Sequence, residues 1–193
     1  AFSNGEKVTA DVARFSMATI KGNKGMASSL MAHVKAVVPV DELTFDIVTE
    51  GGYAATPASA AFFFFLPPQY YAESGGRAGF GRKPVGTGPY RFVEWQEGVH
   101  ITFAANAGYW GPRPQIPVIT FRAQSETATR VALLETGEAD LITGVPPELV
   151  EHVQQFAAVK TARALRRVFC FFNCFVPPTD NPLVRKAINH AID

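Results

Sequence analysis

Pro84-Val85-Gly86-Thr87-Gly88-Pro89-Tyr90-Arg91-Phe92-Val93-Glu94-Trp95 crowds two prolines and two glycines into its first half and then runs into aromatic and β-branched side chains. Glycine and proline form turns, and Tyr, Phe, Val and Trp favour strands, so the stretch reads as a loop threaded tightly into a β-strand. A Gly-x-Gly pair cradles phosphate when it opens a helix whose amides face the anion. Here Pro89 removes an amide and a strand follows, which argues against a phosphate site. Glycine at these positions predicts a positive φ at Gly86 or Gly88.

Moving outward, Tyr90 to Gln96 and Val99 to Ala105 read as a hairpin turning at Glu97-Gly98. Alternation places Tyr90, Phe92 and Glu94 on one face and Arg91, Val93 and Trp95 on the other. Asn106 to Gly111 is an aromatic-rich turn, Pro112, Pro114 and Pro117 hold a connector extended, and Ile116 to Ala123 is the next strand.

Upstream, Asn4-Gly5 marks a turn, and Thr9 caps a helix with Asp11 in its first turn and Val12, Phe15 and Ile20 on its apolar face. Gly22 to Gly25 stops it, and Ala27 to Ala32 reads as a short second helix. Val34 to Val40 and Leu43 to Thr49 form a second hairpin. Thr56-Pro57 opens a helix carrying Phe62 to Phe65, four rings that cover every face and so pack on neighbours or line a cleft. Gly75 to Gly81 reads as a loop.

Downstream, Ser125 caps a helix through Glu135, Ala139 to Thr143 is a short strand, and Pro146-Pro147 opens a helix through Phe156 with Leu149, Val150 and Val153 inward. Val168 to Phe175 is apolar on both faces except at Asn173, as in a central strand covered on both sides. Asn181-Pro182 begins a last helix that runs to Asp193. Strands interleaved with helices indicate an α/β class of mixed sheets flanked by helices.

The central stretch, with Glu94-Trp95, Ala105-Asn106 and Tyr109-Trp110-Gly111, resembles the extracellular solute-binding proteins of peptide and nickel ABC importers, family 5. Phe2-Ser3-Asn4-Gly5-Glu6 with Thr9-Ala10-Asp11-Val12, Leu134 to Leu141, and Val184 to Asp193 match the same family in the same order. The resemblance implies part of the first lobe of a two-lobed, periplasmic-binding-protein type II-like fold. It divides the chain into a flanking subdomain, 1–83, and the lobe core up to the start of the second lobe, 84–193. Family members are longer and exported, so the chain reads as an internal piece that lacks its signal peptide, from a periplasmic or extracellular protein of the cell envelope.

Composition agrees with a folded protein: 193 residues, 47% hydrophobic and 18% charged. A formal charge of +1 provides no basic field for nucleic acid. The apolar run from Ala58 to Leu66 is too short to cross a bilayer. Cys170 and Cys174 lie four apart on the expected strand, roughly 13 Å between Cα atoms, beyond disulfide reach, so two buried free thiols are expected. Neither zinc-ligand spacing nor a hydrolase elbow is present, no cofactor or metal is called for, and His33, His100, His152 and His190 read as solvated or capping residues.

Candidate ligand-binding residues are Tyr70, Tyr71, Phe172 and Asn173. The tyrosines offer apolar walls with a polar handle. In the family the asparagine matching Asn173 ends the strand beside the interlobe cleft, where it either anchors the hinge or touches ligand. Tyr109 and Trp110 read as loop packing. The resemblance implies capture of a small solute, a peptide above all, with nickel complexes and oligosaccharides as lesser alternatives, and docking on a membrane ABC permease. A ligand-sensing module of a transcriptional regulator and a secreted hydrolase are the alternatives from other classes. Strand edges left by missing segments imply self-association of the piece.

Overall fold

The computed structural model describes residues 1–23, 25–162 and 169–192, which divide into two compact units, Ala1–Glu126 and Thr127–Asp193. The 83/84 boundary drawn from sequence falls inside the first unit.

In the first unit, helix α1 (Ala10–Gly22) starts where expected: Thr9 is extended and its Oγ1 accepts from Val12 N at 3.4 Å. Asp11 in the first turn pairs with Arg14 at 2.8 Å. The buried face of α1, with Ala13 and Met17, packs on Met31, Val34 and Val37, and Ile20, Phe45, Ile47, Phe63 and Phe65 close around them. Met31 follows the short α2 (Met26–Leu30), and Val34 and Val37 belong to β1 (Val34–Pro39), which pairs antiparallel with β2 (Phe45–Thr49). Their turn is fixed by Asp41, whose Oδ1 accepts from Leu43 N and Thr44 N at 2.8 Å each. Those bonds favour the carboxylate and lower its pKa.

Helix α3 (Thr56–Ala60) ends before the phenylalanines, so Phe62 to Phe65 do not ride on a helix as expected. Pro67 biases the residue before it toward extended backbone, and the run that approaches it is free of helix. Extended geometry then sorts the rings by twos. Phe63 and Phe65 meet Phe45 edge-on at 6.2 and 6.1 Å, while Phe62 and Phe64 are 44% and 61% exposed. The buried Ser16 fastens the run to α1: its Oγ donates to Val12 O at 2.7 Å and accepts from Leu66 N at 2.9 Å.

Helix α4 (Pro68–Glu73) is capped from far away in sequence. Glu6 Oε2 accepts from Gln69 N at 3.2 Å and Oε1 from Tyr70 N at 3.1 Å. The expected loop at Gly75 to Gly81 is instead a second helix, α5 (Gly76–Arg82). Gly75 and Gly76, at φ 87° and 70°, make the corner. A Cβ on Gly79 would come within 1.6 Å of Ser74 O, so this glycine serves close backbone approach.

Strands β3 (Tyr90–Gln96), β4 (His100–Ala105) and β5 (Val118–Arg122) form an antiparallel sheet in that order. The register slips between Phe92 and Glu94, a bulge that changes the expected faces. Trp95 joins Tyr90 and Phe92 opposite Ile101, Phe103 and Ala105, and β5 extends that apolar face with Ile119 and Phe121. Glu94 moves to the polar face, where it lies 3.1 Å from His100 Nε2.

The loop entering β3 differs from expectation too. Neither Gly86 nor Gly88 has positive φ, and nothing lies within 4 Å of a Cβ built on either. Its course is set by captured carbonyls: Ser3 N donates to Gly86 O at 2.9 Å, and the buried Asn106 donates to Gly88 O from Nδ2 at 3.0 Å and to Pro89 O from its amide at 2.8 Å.

In the second unit, α6 (Thr127–Glu135) buries Val131. The strand expected at Ala139 to Thr143 does not form. Past Pro146 a 3-10 turn (Pro147–Leu149) leads into the short α7 (Val150–Val153), which buries Val153 but stops before Phe156. Of the strand expected over Val168 to Phe175, residue 168 lies outside the described residues, and 169–175 form no strand. A strand is stabilised by a ladder, and no described strand pairs with this segment. Helix α8 (Pro182–His190) is capped by Asn181, whose Oδ1 accepts from Leu183 N at 2.9 Å, and it ends at His190, short of the expected Asp193, which is not described.

Candidate functional site: an open cleft in the first unit

The C-terminal end of α1, the start of α2, Leu66 and the α4–α5 pair enclose an open cleft of about 410 Å³. Ile20, Met26, Leu66, Tyr71 and Phe80 make it largely apolar. Its polar lining consists of Thr19, Asn23, Ser28 and Arg77, and no carboxylate is among the described residues around it. The size falls within the range typical of small-molecule pockets, about 300 to 1,000 Å³.

Tyr71 stands at this cleft with its ring edge-on to Phe15 at 5.9 Å and tilted against Phe80 at 5.6 Å. Tyr70 turns to a different task. Its hydroxyl donates to Lys83 O at 2.8 Å and its ring meets Phe80 at 6.3 Å, fastening α4 to the end of α5. The cleft therefore brings in Tyr71 from the sequence candidates and adds Arg77 and Phe80. Sequence reading missed these two because they sit in a glycine-rich stretch taken for a loop.

Phe172 and Asn173 belong to the second unit. Phe172 is half-buried, but Asn173 is exposed, contrary to its expected place in a buried strand. Its Oδ1 accepts from Phe175 N at 3.1 Å and its carbonyl from Thr179 Oγ1 at 2.7 Å, so it ties a local turn. Cys170 and Cys174 are free thiols as expected, but both are exposed, and among the described residues no strand pairs with 169–175. Trp110 is exposed, and its ring lies 5.1 Å from that of Tyr109. Among the described residues no three His, Cys, Asp or Glu side chains gather as metal ligands, and no helix is long and apolar enough to cross a membrane.

The model of the bacterial extracellular solute-binding proteins, family 5 Middle, matches residues 1–193. The chain belongs to this family. Among its family 5 relatives, the glutathione-binding protein GsiB of Pectobacterium atrosepticum is 32% identical over 196 aligned positions, covering 95% of this chain and 38% of that protein. The solved structure of MoaA from A. tumefaciens R10 in complex with mannopinic acid superposes with a TM-score of 0.81 at 25% identity, covering 100% of this chain and 40% of that one. DppA of Helicobacter pylori in complex with the peptide STSA gives 0.76 at 25% identity, covering 96% and 40%. The chain thus spans about two fifths of the length of these relatives, and its mixed α/β architecture is that of part of a family 5 lobe.

Proposed function

We propose that the protein to which this chain contributes is the solute-binding component of an ABC importer, outside the cytoplasmic membrane, and that its solute is a short peptide. The family match along the entire chain carries this reading. The peptide class is supported by a relative named for glutathione, itself a tripeptide, and by a neighbour solved with STSA. In this reading the solute is held between two lobes that close on it, residues 1–83 flank the first lobe and 84–193 supply its core, and no bond in the solute is made or broken. Tyr70, Tyr71, Phe172 and Asn173 are the proposed contacts, and a membrane permease receives the solute.

The mannopinic acid complex favours a second reading, a small organic acid as solute. Titration calorimetry of the protein with glutathione, tri- and tetrapeptides and mannopinic acid separates the two, alongside uptake of the same labelled solutes by cells lacking its gene. The peptide reading expects saturable peptide binding and lost peptide uptake. Saturable binding of the organic acid alone overturns it.

A further inference from the structure

We propose that the cleft between α1, α2 and α5 takes the carboxylate end of a solute whose last group is apolar, with Arg77 as its anion anchor and Tyr71 and Phe80 as its apolar walls. This rests on the reading of Tyr71 as a solute contact and adds a charge preference that neither the family match nor the named relatives assign.

Three observations carry it. First, the lining is asymmetric: Ile20, Met26, Leu66, Tyr71 and Phe80 supply an apolar floor, and the one charged side chain among the described lining residues is a cation. Second, that cation is solvent-exposed and has no ion pair or hydrogen bond among the described residues, so its donors are open to a ligand at the cleft. A guanidinium presents a planar fork of donors that matches a carboxylate. Third, two hydroxyls at the mouth, those of Thr19 and Ser28, have no hydrogen-bond partner among the described residues and can donate to a ligand, while Asn23 Nδ2 is already bonded to Thr19 O at 2.7 Å. A neutral apolar ligand would leave Arg77 unused; a dianion would meet one cation among the described lining residues and an apolar floor. A monocarboxylate beside an apolar group satisfies both walls. It is the chemistry shared by the C-terminal residue of an apolar peptide and by a small organic acid with an apolar body.

The test uses the full-length protein to which this chain contributes, isotope-labelled, with N-acetyl-leucine, its neutral amide, and hexanoate as probes, followed by NMR. The acid is expected to shift the resonances of Tyr71, Phe80 and Gly81, and the neutral amide to bind roughly tenfold or more weakly, the loss expected when a charged hydrogen bond is removed. Arg77→Gln should abolish that preference with an unchanged thermal midpoint. Arg82→Gln, on the same helix but not lining the cleft, should keep it. Stronger binding of N-acetyl-leucine than of hexanoate points to a peptide end, and the reverse to an organic acid; both support the proposal. Equal binding of acid and amide, equal loss in both arginine variants, or no shift at Tyr71, Phe80 and Gly81 overturns it. None of these touches the importer reading, which falls only if uptake is independent of the gene.

Discussion

Two phenylalanine-rich runs in this chain meet opposite fates. Phe62 to Phe65 and Phe169 to Phe175 both read as segments for an interior. In the first run, Phe63 and Phe65 reach the core formed by α1 and the β1–β2 hairpin, and only the alternate rings face outward. In the second, Phe169, Phe171 and Phe175 are 69%, 89% and 94% exposed, Phe172 alone is half-buried, and Phe169 and Phe171 form a tilted pair at 6.0 Å. Hydrophobicity is alike in the two runs, so it does not decide the outcome. The first run has a preformed apolar face within its own unit and a hydroxyl, Ser16, to take its amide; the second has no ladder and no covering layer among the described residues.

If that is the difference, truncation must separate the runs. Phe65→Ala should destabilise the first unit by about 2 to 3 kcal/mol, below the 3 to 5 typical of a fully buried phenylalanine because the ring is half-buried. Phe171→Ala should change stability by no more than about 0.5 kcal/mol. Urea denaturation of both variants checks this, and similar losses would erase the contrast. Next in size is Ser16→Ala, which leaves Leu66 N without its acceptor in a half-buried setting and should cost about 1 to 2 kcal/mol by the same assay. Glu6→Ala removes the cap of α4 at the end of the first run, with an expected loss of about 1 kcal/mol and faster proteolysis between Leu66 and Arg82. Smallest is Gly88→Ala: with ordinary φ and nothing near its Cβ, it should shift the midpoint by less than about 0.5 kcal/mol.

What could be read in the sequence was local. Thr9 and Asn181 cap helices through bonds two or three residues away, and both hairpins turn at short polar or glycine-containing links, so residue type and spacing sufficed. What escaped was set at a distance or by one extra residue. Glu6 caps α4 across more than sixty residues, and no local pattern signals it. The bulge after Phe92 carries Trp95 to the other face, although alternation alone placed it beside Arg91. In α5 the glycines lower helix propensity, and the nearness of Ser74 O to Gly79 accounts for one of them, Gly76 serving the corner by its positive φ. Tyr71 was found at the cleft because aromatic residues suit pocket walls; Arg77 was hidden with the helix that presents it. For Asn173 and the two cysteines, apolar neighbours announced burial, but burial of a strand depends on neighbouring elements, and among the described residues no strand pairs with this segment.

Hydrogen–deuterium exchange at single-amide resolution, read at Leu66 and Tyr70 against Phe171 and Asn173, tests most directly whether partners within the unit and not apolar content order these runs. Leu66 N and Tyr70 N, bonded to Ser16 and Glu6, should exchange at least about a hundredfold more slowly than Phe171 and Asn173, in keeping with local opening free energies that follow packing. Equal protection at all four amides, or slower exchange at Phe171 and Asn173, would contradict the account.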